Sequence, residues 1–208
     1  MSDLLLDVQS AAPTPSAGQA VVAVNTTTKR IQTVDDAGFK RTLGYVNFST
    51  AAQVITTTRA YIAGSNILIP AGAMQVGTVF RWTFDITKTA AGTATATYDI
   101  AFGTAGTTAD TARVSFAKPA GTAAIDTGMV RIVAVVRGPV GASGVVAGHF
   151  QLTHNLAATG HAAIPCVDVT TISAAFDVTA PTNIGVCLTG GASDSVTLQL
   201  VMAEAWNI

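Results

Sequence analysis

Histidines and carboxylates are the residues of this chain whose types could do chemistry. His149, His154 and His161 fall close together in GHFQLTHNLAATGHAA. A cupin-type metal site uses an H-x-H pair followed by a Glu. Here the first pair is separated by five positions, which on one regular strand sends the two rings to opposite faces. The only Glu, Glu204, lies far along the chain. No metal site is therefore expected within one copy. A single His on a three-fold axis would supply three ligands at once, a geometry suited to zinc or nickel. The carboxylates Asp85, Asp99, Asp110, Asp126, Asp168, Asp177 and Asp194 are scattered at strand ends and turns. Glycan cleavage needs two carboxyls facing one groove, and nothing in the local spacing brings two together. Asp35 and Asp36 belong to a turn. No G-x-S-x-G elbow, P-loop or G-x-G-x-x-G is present. GASGVVAG is rich in glycine, but no helix follows it to cradle a phosphate. The expectation is a chain without catalytic residues, cofactor or metal.

Cys166 and Cys187 sit on separate strand-like runs, where buried free thiols are the simplest reading. Composition is more informative. Hydrophobic residues make up 49% and charged residues only 11%, against about 25% charged in an average soluble domain. Eleven basic and twelve acidic residues leave a net charge of −1. Surface that charge does not cover is expected to be covered by another subunit. No basic run supplies the electrostatic term of nucleic-acid binding. MSDLLLDVQS lacks the positive start of a secretory signal. MVRIVAVVRGPVGASGVVAGHF is broken by Arg131, Arg137, Pro139 and glycines, so no membrane insertion is expected.

The elements that must position these residues read as strands. Residues 1–19 form an apolar patch, Leu4 to Leu6 and Val8, followed by a Pro/Ala/Ser stretch. Pro13 and Pro15 favour extension over helix, and the segment reads as a docking arm. Residues 20–44 read as a small hairpin or meander: AVVAV, the turn NTTTK, RIQTV, the turn DDAG and FKRTL. Lys29, Arg30, Lys40 and Arg41 cluster there. Alone it would be marginal, so it must pair with something else.

Residues 45–208 read as a sandwich domain with strands near 53–62, 66–69, 78–87, 94–102, 111–117, 124–137 (bent or broken at Gly128), 144–153, 164–171, 174–178, 182–189 and 195–206. TAAGTA, GTAGTTADT, KPAGTAA, GPVGASG, LAATGHAA and LTGGASDS mark the turns. Alternation in TATATYDI and VTLQLVM is the period of half-buried sheets. The expected fold is all-β, an antiparallel β-sandwich of jelly-roll type. In TVFRWTFDIT, Phe80, Trp82, Phe84 and Ile86 share the core face, whereas Val79, Arg81, Thr83 and Asp85 face outward. That outward face suits a subunit contact.

Two regions carry a resemblance. GQAVVAVNTTTKRIQTVDDAGFKRTL is similar to an N-terminal module of tailed-bacteriophage fibre and appendage proteins. NILIPAGAMQVGTVFRWTFDITKTAAGTA, GTAGTTADTA, SGVVAGHFQLTHNLAATG and the closing LQLVMAEAWNI resemble a domain of phage virion proteins. The resemblance implies a homotrimeric jelly roll on the virion surface, assembled in the host cytoplasm. Its N-terminal arm would hold it to the major capsid protein or another virion structural protein, as a capsid-decoration or head-fibre protein. The alternative is a tail fibre or a receptor- or glycan-binding module. For glycans the available aromatic platforms are Tyr45, Tyr61, Tyr98 and Trp206.

Overall fold

The computed structural model describes residues 8–9, 16–25, 31–35, 40–42, 45–89, 92–141, 143–162, 169–173, 177, 179–192 and 196–208. They are all-β. Three sheets form, and the two larger ones are antiparallel and pack as a sandwich.

The small sheet comprises β1 (Val8–Gln9), β2 (Ala20–Asn25), β3 (Ile31–Asp35) and β4 (Lys40–Thr42), in that order. β2–β3–β4 is the meander expected from residues 20–44. Its extra partner comes from the arm: Val8 and Gln9 add in parallel beside Val24 and Asn25. The arm is thus partly a strand of its own chain's sheet. Its leucines at 4–6, and the NTTTK and DDAG turns for the most part, lie outside the described residues.

The sandwich begins with β5 (Tyr45–Ser49), β6 (Gln53–Val54), β7 (Ala60–Tyr61) and β8 (Ile67–Ile69). Longer strands follow: β9 (Val79–Lys88), β10 (Ala96–Gly103), β11 (Thr111–Lys118), β12 (Asp126–Val136), β13 (Val146–His154), β14 (Val169–Ile172), β15 (Thr182–Thr189) and β16 (Val196–Trp206). One sheet runs β14-β13-β12-β9-β16-β5, with β6 also paired to β16. The other runs β11-β10-β15-β7, with β8 also paired to β15. Hence β16 is flanked on one side by two short strands, and so is β15.

Three expectations change. YVNFS is a strand that the sequence reading omitted. Residues 53–62 are two two-residue strands, not one, because Thr56 Oγ1 turns the chain by accepting from the Thr58 N–H (3.3 Å) and donating to its carbonyl (3.3 Å). β12 runs unbroken through Gly128, where a Cβ would press on the Thr153 carbonyl and on His154. Gly128 serves close strand approach rather than a bend.

The core face of β9 is as the alternation requires: Phe80, Trp82, Phe84 and Ile86 are buried. Aromatic rings bridge the layers. Phe84 stacks on Tyr98 of the opposite sheet (6.4 Å), Tyr98 tilts against Phe150 (5.0 Å), and Phe150 stacks on Phe116 (5.9 Å). Such pairs each add about 0.5–1.5 kcal/mol beyond area burial. Trp82 Nε1 donates to the Ser65 carbonyl (2.8 Å). Ser65 Oγ in turn accepts from the Val186 N–H (3.0 Å) and donates to the Ile62 carbonyl (2.7 Å). One indole therefore ties the seven-stranded sheet to the loop before β8 and to β15.

The outer side of the five-stranded sheet is partly roofed by its own chain. Arg59 Nε and Nη2 donate to the two oxygens of Asp99 (2.9 and 2.5 Å), and Nη1 donates to the Thr108 and Asp110 carbonyls (2.7 and 3.2 Å). The Asp110 carboxylate accepts the Ala105 and Gly106 N–H groups (3.0 and 2.7 Å). Tyr61 lies on Gly185, where any Cβ would strike its phenol ring. Cys187 is a buried free thiol, as expected, and Cys166 lies outside the described residues. Burial, with the nearby Asp99 charge, pushes the Cys187 thiol up to about 12, so it is inert as a nucleophile at neutral pH.

Candidate functional site

The register of the β12–β13 hairpin decides where the histidines go. Gly128 stands opposite His154, and Val133 stands opposite His149. His149 lies on the outer face of the seven-stranded sheet, whereas His154 bonds Asp126 beside the sandwich core. The sequence expectation of opposite faces holds. What it missed is a polar cluster at this end of the sandwich, because Asp126 is not an isolated turn residue. Its Oδ2 bonds His154 Nδ1 (2.8 Å) and accepts the His161 N–H (3.0 Å), while its Oδ1 accepts the Thr127 N–H (2.9 Å).

The loop carrying His161 is pinned at Gly160, whose N–H donates to Thr122 Oγ1 (2.7 Å). With φ at +82° and the Asp126 carboxyl packed where a Cβ would be, only glycine fits there. Two buried lysines border the cluster. Lys88 Nζ donates to the Thr122 and Ala124 carbonyls, and Lys118 Nζ to those of Pro119 (2.9 Å) and His161 (2.8 Å).

The His161 ring is fully buried, meets His154 edge-on (centroids 6.3 Å apart), and neither of its nitrogens has a hydrogen-bond partner. Burial pushes its pKa down to about 4; Asp126 opposes this, whereas Lys118, His154 and Lys88 add to it. Burial works against the Asp126 carboxylate, but the bonds from His161, His154 and Thr127 outweigh it and hold its pKa below the usual range.

An Asp–His pair can act as a general base. Here no hydroxyl or thiol among the described residues hydrogen-bonds His154. Among the described residues no three His, Cys, Asp or Glu side chains are grouped to hold a metal. Chemically the cluster is a clasp that closes the 155–162 loop on β12.

Both shifts carry the same sign. A His whose folded pKa lies below the unfolded value of about 6.5 takes up its proton on unfolding, so stability falls as the pH drops from about 6.5 towards 4. Asp126 contributes stability that is lost as the pH falls through its lowered pKa. Between pH 7.5 and 4.5 urea unfolding should therefore show a loss of about 2 kcal/mol assignable to His161. His161→Leu should flatten that part of the profile; an unchanged profile in the variant would exclude the ring as its source.

The proposed aromatic platforms fare differently. Tyr98 is in the core, a correction to its reading as an exposed platform, because the β10 alternation turns it inward. Tyr61 lies against the sheet with a buried, unpartnered hydroxyl. Only the backbone of Tyr45 is described. Trp206 is 37% exposed, with the Arg81 guanidinium over its ring at 4.8 Å.

The other notable region is the outer face of the seven-stranded sheet. Cross-strand register lines up Gln151, Arg131, Thr83, Met202 and Phe48 in one row. The neighbouring row holds His149, Val133, Arg81, Glu204 and Val46. Phe48 is 65% exposed, Val46 58%, Met202 41% and Met129 40%. Arg81 and Glu204 form an ion pair with each other, Nε to Oε2 at 2.7 Å, which neutralises them locally.

Compared with known proteins, the chain matches no family model, no curated protein and no solved structure.

Proposed function

We propose that the chain is a structural virion protein of a tailed bacteriophage. In this reading it is a homotrimeric capsid-decoration or head-fibre protein with a jelly-roll-type sandwich, non-enzymatic, and anchored through its N-terminal segment. The observation that carries this reading is where the scarce charge resides. Of the eleven cations, Lys88 and Lys118 are buried, and of the twelve acids, Asp99, Asp110 and Asp126 are buried. The surface is thus poorer in charge than the composition alone suggests, while Phe48, Val46, Met202 and Trp206 are exposed on one sheet. A protein whose work is binding free energy gains roughly 25 cal/mol for each Å² of apolar surface it covers. The resemblance of the N-terminal module and sandwich motifs to phage appendage proteins supplies the setting.

The test is deletion of residues 1–19. The truncated protein should keep its sandwich and its self-association but lose attachment to particles, read by co-sedimentation with purified virions. Loss of β1 should remove one strand from the small sheet, where its partner is β2. Truncated protein that still co-sediments would overturn the anchoring role.

A further inference from the structure

We propose that the outer face of the seven-stranded sheet is the surface through which copies of this chain bind one another; the inference rests on the self-assembling role above. The first argument is residue type. Interface centres favour aromatic residues, Met and Arg and avoid Lys. This face presents Phe48, Trp206, Met129, Met202, Arg81 and Arg131, and its strands direct no described Lys outward, Lys88 being buried.

The second argument is area. Six strands stand side by side, and the central β9 has ten residues. At about 4.8 Å between strands and about 3.4 Å per residue, less the shorter outer strands, the face is roughly 700 Å². A stable contact needs about 800 Å² per partner, so the face matches one such contact in size.

The third argument is charge, and it names the occupant. With Arg81 and Glu204 satisfying each other, the remaining Asp, Glu, Lys and Arg side chains that β9, β12 and β16 direct outward are Asp85 and Arg131. They occupy adjacent strands on this face: Asp85 stands opposite Met129, and Arg131 opposite Thr83. Neither forms an ion pair among the described residues. One acid and one base sum to zero and complement the same pair on another copy. An acidic or basic partner would leave one of the two charges opposed by its own sign. Asp85 of one copy set against Arg131 of the next, repeated around a ring of three, satisfies both.

The experiment is sedimentation equilibrium on the full chain and on surface variants whose folding is checked by circular dichroism. Wild type should sediment as an oligomer. Met202→Glu should cut the mass about three-fold, to that of a monomer. Asp85→Arg alone and Arg131→Asp alone should each raise the dissociation constant at least tenfold, and the double variant D85R/R131D should restore it. An oligomeric wild type whose mass ignores all of these variants overturns this surface while leaving self-assembly intact. A wild type that stays monomeric at high concentration overturns both. Monomeric wild type that instead gains mass with a purified virion protein, and loses that gain on Met202→Glu, assigns the face to a different partner and overturns the proposal.

Discussion

Replacing Arg59 with Met should lower the unfolding free energy by about 3 kcal/mol, because it leaves the Asp99 carboxylate buried without its counter-charge. Asp99 has almost no solvent access and takes both arms of the guanidinium fork. Arg59 itself keeps some exposure, which places the effect at the lower end for a buried pair. The loss extends beyond the ion pair. The third guanidinium nitrogen holds the Thr108 and Asp110 carbonyls, so the 104–110 loop loses its tie to the β6–β7 segment. Arg59→Lys should recover only part of the stability, since a point charge cannot reproduce the fork. Adding Asp99→Asn to Arg59→Met should restore a fraction of the loss, and the double-mutant cycle measures the coupling. A change below about 1 kcal/mol in urea unfolding would show that water satisfies Asp99 once Arg59 is gone.

Trp82→Ala should destabilise the sandwich by about 4 kcal/mol, within the range for truncating a buried large aromatic. Trp82 is 0% exposed and stacks against Phe80 at 5.9 Å. The substitution also removes the donor to the Ser65 carbonyl. Trp82→Phe separates the two contributions: it keeps most of the packing but orphans that carbonyl, for an expected loss of about 1–2 kcal/mol. If Phe proves as damaging as Ala, the hydrogen bond rather than the packing holds the layers together at this point. Both variants should unfold at lower denaturant with an unchanged slope if the native compactness is kept.

Much of the layer structure was legible in the sequence because alternation is a local property. VFRWTFDI displays which residues face inward without reference to any neighbour, and Phe80, Trp82, Phe84 and Ile86 are buried accordingly. Turn residues marked most strand ends for the same reason. YVNFS was missed because its exposed Val46 and Phe48 depart from an apolar-in, polar-out pattern; that departure was itself the signal of the open face. Gly128 was misread because glycine in a strand signifies either a bend or close approach, and the partner at 153–154 lies on the next strand.

The Asp126–His154 pair was illegible for a different reason. Its members are 28 positions apart, and only the register across GPVGASG brings them together. Counting back from that turn places Gly128 opposite His154, which brings Asp126, two residues earlier, within reach of the ring. His161 could not be located in this way, since it arrives through a loop. Arg59, just before β7, and Asp99 in β10 are 40 positions apart, and nothing local announces their meeting.

The paired short strands beside β16 and β15 bear on what such a protein can become. A long, uninterrupted outermost strand offers a row of open amide and carbonyl groups onto which further chains can add without limit. Here that border is chopped: β5 and β6 divide one flank, β7 and β8 divide another, and two of these pieces are only two residues long. No incoming strand would find more than a few consecutive rungs there. Growth by ladder extension into ribbons or fibrils is thereby discouraged at those flanks.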